Sequence, residues 1–536
     1  NSKTILKMKK QLITKALALS LLLSSALTLT DAQNACINKQ KTLGGSGDDY
    51  PTSTIKVCGG YVISGYTNSA DGSFNVPANH DFDGFIAKFD YSGHVIWKHT
   101  YGGTAYDDLW NIKSTTDGGY IATGETSSND GDVSGNHGGD EDVWVVKFNS
   151  LGLIQWQKCF GGSGDDYTFE INVTPSGYTV VGATNSNDGN VSGNHGDYDA
   201  WVINISHSGN LISSHCYGGS GQDAAVSYKR NNNGTFTFCG GTYSNDGDVN
   251  GNHGGQDTWL VNANFNFNIN WQKCMGGSGD EYPHTFARTT DGNIVLSAPS
   301  LSNDGDVDGN PGYAVAWLVK VNPKTGNIIW NKTYKNANLT TASVGAFGTS
   351  DGGVISMGGI GDNLNFSTDD AFVFKVNSNG NMQWEKQYGG SDQDDYGFWF
   401  SGIQLGNQYV ISTATLSNDG DVHNPRGGVD AWIVTLGSCC GHKDALTDEN
   451  DFSLSNYPNP ISSSTTISFA LNQPQNISAK IYDATGKVIT TLCENKSFEE
   501  GENQLEWNVE NVDAGIYFLK VEGENFSETK KLSVVK

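Results

Sequence analysis

A glycine-rich acidic turn recurs along this chain at a nearly constant spacing. It reads LGGSGDDY at 43–50, FGGSGDDY at 160–167, YGGSGQD at 217–223 and MGGSGDEY at 275–282. Anchored on the double glycine, the copies stand at Gly44, Gly102, Gly161, Gly218 and Gly276, pass a degenerate position near Lys335, and end at Gly389. The steps are 58, 59, 57, 58, 59 and 54 residues. Such a period means that one supersecondary unit is stacked repeatedly, because a single unit cannot bury its apolar face alone.

The copy at 161–217 resolves into four short strands. YTFEINV (167–173) ends at a TPSG turn, and YTVVGAT (178–184) leads into a long loop, NSNDGNVSGNHGDYD (185–199). AWVINIS (200–206) is then separated by HSGN from LISSHCY (211–217). β-Branched and aromatic runs bounded by Gly, Pro, Asn and Asp are strand-and-turn chemistry. Four strands in each of seven repeats predict an all-β chain, a seven-bladed β-propeller over 33–440, with a solenoid as runner-up.

The ends of the repeat region predict how the ring closes. CINKQKTL (36–43) aligns with the outermost strand LIQWQKCF (153–160), while the seventh copy stops after its third strand, AWIVTLG (431–437). The N-terminal strand is expected to complete blade seven. In that register Cys36 faces Cys439 or Cys440 across a hairpin, and a disulfide is expected there. None of the nine cysteines forms a CxxC pair, which argues against zinc. Cys159, Cys216 and Cys274 share one strand position and are expected to be buried apolar groups.

Charge bounds the partners. The net charge is -26, with 58 acidic against 32 basic residues, which excludes nucleic acid and anionic membrane surfaces. Lys9, Lys10 and Lys15 precede or abut an apolar run, ALALSLLLSSALTL (16–29), ahead of Ala32. This reads as a signal peptide over 1–32, leaving a mature chain from Gln33 with net charge about -30 and no transmembrane segment.

In a propeller, the loop between second and third strands and the link to the next blade lie on one face. Both are elaborate here, and ligands bind where loops are elaborated on a rigid scaffold. The long loop recurs as SNDGDVSGNHGG (128–139), SNDGDVNGNHGG (244–255), SNDGDVDGNPG (302–312) and SNDGDVHNPRGG (417–428). Carboxylates two apart, Asp130 and Asp132, Asp246 and Asp248, Asp304 and Asp306, Asp419 and Asp421, suit a hard cation, so Ca²⁺ is a candidate cofactor. The spacing is not an EF-hand, and Asx turn chemistry is the leading reading.

His137, His195 and His253 are expected as exposed turn histidines. A phosphate loop is excluded, because carboxylates and a strand follow the glycines. Asp142, Asp199, Asp257, Asp370 and Asp430 precede the third strand by one residue, two ahead of Trp144, Trp201, Trp259, Phe372 and Trp432, a blade-packing device. Trp97, Trp156, Trp271, Trp330 and Trp384 mark the outer strand and read as packing residues. No catalytic constellation stands out. A unique site would sit where the repeat breaks, at the short sixth loop, at Arg426, or in a polar pocket at the axis.

After Cys440 the composition changes. A polar linker (441–454) precedes TTISFAL, ISAKIYD, QLEWNVE, GIYFLKVEG and KKLSVVK, which predict a small immunoglobulin-like β-sandwich over 455–536. NYPNP (456–460), IYDATGKVI (481–489), AGIYFLKV (514–521) and the ending KKLSVVK closely resemble the type A sorting domain of type IX secretion substrates. The resemblance rests on Tyr457, Pro458, Asn459, Pro460, Gly486, Gly515, Tyr517 and Lys536. It implies the type IX machinery as partner, export across the outer membrane of a Gram-negative bacterium, and tail removal with release or fixation to surface lipopolysaccharide. The repeats are similar to those of uncharacterised secreted propellers. The expected function is therefore non-enzymatic adhesion to glycan or protein through the acidic loop face. The alternative is a polysaccharide-acting enzyme with a site at the axis.

Overall fold

The computed structural model describes residues 35–231, 233–336, 339–361, 370–394, 400–437, 454–471, 474–483, 487–499, 501–523 and 527–535. Their regular elements are all strands. The signal-peptide region, Cys439, Cys440, Gly486 and Lys536 lie outside the described residues, as does most of the sixth long loop.

Seven antiparallel sheets span 36–437, six of them with their strands in sequence order from inner to outer. Blade one, 49–101, consists of Asp49–Val57, Gly60–Thr67, Asp83–Asp90 and Val95–Tyr101. Blades two to six occupy 111–160, 166–217, 227–275, 285–334 and 340–388, the last with an extra two-residue strand, Thr340–Thr341. The inner strands of neighbouring blades pack on one another, and blade one packs on blade seven. This is a β-propeller.

Blade seven is completed from the other end of the region. Its strands Ser401–Leu405, Gln408–Thr415 and Asp430–Gly437 are joined by Cys36–Leu43, antiparallel, with Cys36 opposite Gly437 and Leu43 opposite Ala431. The replacement extends to side chains. Trp144 and Trp259 donate their indole N–H groups to fourth-strand Gln157 and Gln272, and Trp432 donates to Gln40 at 2.9 Å. Cys36 is disulfide-bonded. Cys159, Cys216 and Cys274 are free and buried, as expected, whereas Cys58 is free and exposed.

The third strands are buried on both faces, so they carry the largest core side chains: Trp144, Trp201, Trp259, Trp317 and Trp432 are at most 2% exposed. The aspartates thought to precede these strands are instead their first residues. The outer-strand tryptophans pack sideways onto the next blade, where Trp271 donates to Lys324 O at 2.9 Å and Trp330 to Ser378 O at 3.1 Å.

The C-terminal unit has two sheets. Leu454–Tyr457, Ser464–Leu471 and Gly501–Asn508 form one; Val488–Phe498, Gln475–Asp483, Gly515–Glu522 and Ser527–Val534 form the other. Their inward residues, among them Ile467, Phe469, Ile481, Trp507, Leu519 and Leu532, make one core. Leu454–Tyr457 and Val488–Phe498 are strands that the sequence pattern did not predict. The sorting motifs at the two ends of this unit meet in space. Asn459 Oδ1 accepts from Ser533 N at 2.9 Å, and Ile461 bridges to Val534. Gly515 has room for a Cβ, so neither crowding nor a positive φ explains that glycine.

Peptide mapping without reductant is expected to recover Cys36 linked to Cys439 or Cys440. Reduction is expected to lower the melting temperature, because the bridge closes a loop of roughly 400 residues. A Cys36 thiol that alkylates without reduction contradicts this pairing.

Candidate binding site on the loop face

The link and the long loop form one hydrogen-bonded unit in every blade but the sixth, most of whose loop lies outside the described residues. In blade three, consecutive link amides are each received by a side chain. Gly162 N donates to Asp166 Oδ2 (2.8 Å), Ser163 N to Asp188 Oδ1 (2.7 Å), Gly164 N to Ser186 Oγ (2.9 Å) and Asp165 N to Asn185 Oδ1 (2.6 Å). A run of convergent N–H groups is an anion-binding nest. Here each N–H is already taken by one of the chain's own side chains, which is a further reason why the turn is no phosphate site. A Cβ on Gly162 would collide with Asp188, and one on Gly161 with both Asp142 Oδ1 and Asp166 Oδ2.

The two link acids have different tasks. The first reaches back to the preceding blade: Asp165 Oδ1 accepts from Asp140 N, Asp280 from Gln256 N and Asp48 from Val429 N, at 2.8–2.9 Å. The second is buried. Asp49 and Asp166 are 0% exposed and receive Thr67 and Ser69, or Thr184 and Ser186, besides a glycine amide. Burial pushes both carboxyls up to about 6 despite those hydrogen bonds.

Across the link glycine each second acid faces the aspartate that opens the third strand of the preceding blade. Asp142, Asp199, Asp257 and Asp430 are fully buried, and one oxygen of each lacks a hydrogen-bond donor. Burial also raises these four carboxyls. At the degenerate junction Lys335 replaces the glycine, and the paired positions become Val315 and Thr341. Glycine and both carboxylates are lost together, so they act as a unit.

The paired loop aspartates do not converge on a common point. Asp130, Asp246, Asp304 and Asp419 each turn onto a link amide, of Thr104, Ser220, Ser278 and Ser391, at 2.7–2.8 Å. Asp132, Asp248, Asp306 and Asp421 are fixed through their own amides to Gly102, Gly218, Gly276 and Gly389 carbonyls. Among the described residues no three His, Cys, Asp or Glu side chains gather as a metal cluster. His137, His195 and His253 are partly exposed, and each also bonds a buried aspartate, Asp142, Asp199 or Asp257, through Nδ1 at 2.5–2.8 Å. The spacing of four or five residues to that aspartate was the available signal for this role.

Function is better sought where the repeat breaks. At the first two blade junctions the face is filled. Tyr50 stacks on Tyr66 at 4.9 Å, with Phe82 and Tyr106 around them. Blade two pairs two acids, Asp108 and Glu125, 0% and 6% exposed, a combination that no other blade repeats; Asp395 of blade seven has the Asp108 position in the sequence and lies outside the described residues. Burial raises Asp108 and Glu125 well above the usual carboxylate range. Their four oxygens accept from Glu125 N, Tyr106 Oη, Thr168 N and Trp110 Nε1.

At the next junction the bulky residues disappear. Ala183 and Gly241 stand where Tyr66 and Glu125 would be, and Ala224 stands where Tyr50, Asp108 and Tyr167 are. The subtraction opens a pocket of about 310 Å³ between blades three and four, lined also by Tyr167, Tyr198, Gln222 and Gln256. The two tyrosine rings lie 5.6 Å apart at 29°, and Asp165 accepts from Tyr198 Oη at 3.1 Å. Gln222 is anchored to Asp197 at 2.9 Å. Aromatic faces beside fixed amides can cover an apolar ring surface while bonding its hydroxyls. The pocket escaped the sequence reading because it needs two repeat columns compared in register. Arg426, the other asymmetric position, places its amide on Asp430 at 2.6 Å.

Residues 455–535 match the family model of the secretion system C-terminal sorting domain. The chain carries a type IX sorting domain. It is therefore exported, and is either released or held at the outer surface of a Gram-negative cell. No curated protein matches the chain. Among solved structures it is similar to a puromycin hydrolase mutant, at 9% identity and TM-score 0.42, covering 78% of this chain and 58% of that one. It is also similar to the endosialidase of phage phi92 (12%, TM-score 0.37, 85% and 74%) and to an ulvan lyase (10%, TM-score 0.41, 74% and 96%). The chain spans little more than half the puromycin hydrolase, and at such similarity none of these activities transfers to it.

Two outcomes follow from the carboxyl network. A carboxyl raised in the folded state binds its proton before the unfolded chain does. Stability is therefore gained as pH falls from about 6 to 3.8 and is lost as pH rises through about 6. The propeller is expected to melt higher at about pH 5 than at about pH 8. Below 3.8 the trend reverses as Asp117, held down to about 2 by Lys147, is protonated. A melting temperature that falls steadily from pH 8 to pH 5 contradicts this. Calcium is expected to leave the melting temperature unchanged, because one carboxylate of each loop pair is already committed to a link amide; a rise of several degrees would support the cation reading.

Proposed function

We propose that this protein is an exported binding propeller that holds glycan on its loop face, delivered to the cell exterior by its sorting domain. The observation that supports this reading is the pocket between blades three and four, where the tyrosine pair and two glutamines replace the packed residues of blades one and two. Acidic loop residues serve the reading indirectly, by fixing the walls: Asp165 and Asp197 orient Tyr198 and Gln222.

The second reading, a polysaccharide-acting enzyme, draws on Asp108 and Glu125, a pair of acids that no other blade repeats. Both are buried and fully hydrogen-bonded within the protein, so they serve as a packing element between blades two and three.

A glycan array with the full mature chain tests the proposal. Selective retention of a glycan without cleavage is expected. Tyr198→Ala is expected to weaken it about tenfold while leaving the melting temperature within a few degrees. Cleaved product in the same assay would favour the enzyme reading, and binding indifferent to Tyr198→Ala would remove the pocket from it.

A further inference from the structure

The inner strands run from the links to the short turns, so their last residues ring the axis on the face opposite the long loops. There the lining changes from blade to blade. Blade one contributes Lys56, blade two Lys113, blade three Glu170 and Asn172, and blade five Arg288, around a cavity of about 590 Å³. The sequence patterns did not single these residues out, because the column varies: Lys56, Arg230 and Arg288 share the position that Ser114 and Val173 hold in blades two and three.

The charges are arranged across blades. Lys113 Nζ lies 3.2 Å from Glu170 Oε1, while Glu170 Oε2 accepts from Ser227 Oγ and Tyr228 N, each at 2.8 Å. Arg288 Nη2 reaches from blade five to Tyr228 O at 2.9 Å and to Asn172 Oδ1 of blade three at 3.4 Å. Burial alone would raise the Glu170 carboxyl, but Lys113 and Arg288 hold it below the usual glutamate range. One anion thus stands against three cations. Lys56 is exposed and forms no ion pair among the described residues. Asn172 Nδ2 is buried without an acceptor. Phe286, Phe347 and Val173 supply apolar wall. Two unmatched positive charges gathered at one spot of a chain with net charge -26 are not demanded by the repeat, since the position of Lys56 and Arg288 is Ser114 in blade two and Val173 in blade three.

We propose that this axial cavity is a second binding site, one that takes a carboxylate- or sulfate-bearing sugar. Lys56 and Arg288 meet the anionic group, Asn172 Nδ2 donates to it, and the phenylalanine-lined wall covers the sugar ring. Glu170 is spent on the ring's own structure and positions Lys113. The cavity lies within the size range of small-ligand sites and exceeds what a bare inorganic anion fills. The surrounding negative field repels the ligand at long range, so recognition depends on contact with these cations.

Calorimetry on the full mature chain distinguishes the sources of the anion. The ligands are an oligogalacturonate, a sulfated galactan oligosaccharide, a neutral cello-oligosaccharide and inorganic sulfate. At least one acidic oligosaccharide is expected to bind and the neutral one not, with affinity weakened about tenfold by Lys56→Glu and by Arg288→Gln. Tyr198→Ala is expected to leave this binding intact, so failure here and failure of the loop-face reading are separately visible. Lys56→Glu alters an exposed, unpaired side chain, and its melting temperature is expected to match the parent. Equal binding of the neutral sugar, insensitivity to both charge variants, or sulfate binding as tightly as the sugars would each overturn the proposal.

Discussion

The buried acid that ends every link but the one at Lys335 is the contact on which the propeller depends. It sits where three things must be joined: the end of the second strand, the long loop and the preceding blade. Asp166 receives Thr184, Ser186 and Gly162, while the residue beside it, Asp165, takes an amide from the blade before. A side chain of this length reaches all of them only if the link backbone passes very close, and that closeness leaves no room for a Cβ at the double glycine. The recurrence of glycine, serine and acid together is thus one steric and hydrogen-bonding requirement, met at every junction but one. Where it is abandoned, at Lys335, the whole set goes.

Much of this architecture was legible in the sequence. Strand number, blade number and the completion of blade seven by Cys36–Leu43 follow from a period, and a period is a property of the backbone that survives without any knowledge of neighbours. The loop chemistry was half legible. Asn, Ser, Asp and Gly in the long loop were recognisable as turn residues, but the amides they serve lie in the link some twenty residues earlier. In the C-terminal unit, Leu454–Tyr457 and Val488–Phe498 went unseen because neither shows a clean alternation, and each is a strand by virtue of the partner it pairs with.

The two cavities were the least legible features, for a common reason. Both are made by departures from the repeat: small residues at Ala183, Ala224 and Gly241 on one face, a cluster of cations at Lys56, Lys113 and Arg288 on the other. Positions that differ from blade to blade carry no period. In a ring whose recurring groups are occupied with holding it together, the positions that differ are the ones left to recognise something else. The conspicuous acids build the face, and the inconspicuous substitutions give it a pocket.

The central claim is that the repeated acids are structural, and Asp49→Ala tests it most directly. Asp49 is fully buried in blade one, away from the blade three–four pocket, and its removal leaves Thr67, Ser69 and Gly45 without their acceptor. Thermal unfolding is expected to show a loss of about 2–4 kcal/mol, with glycan affinity of the folded fraction unchanged. Undiminished stability together with lost binding would contradict the account and return the acids to the binding site.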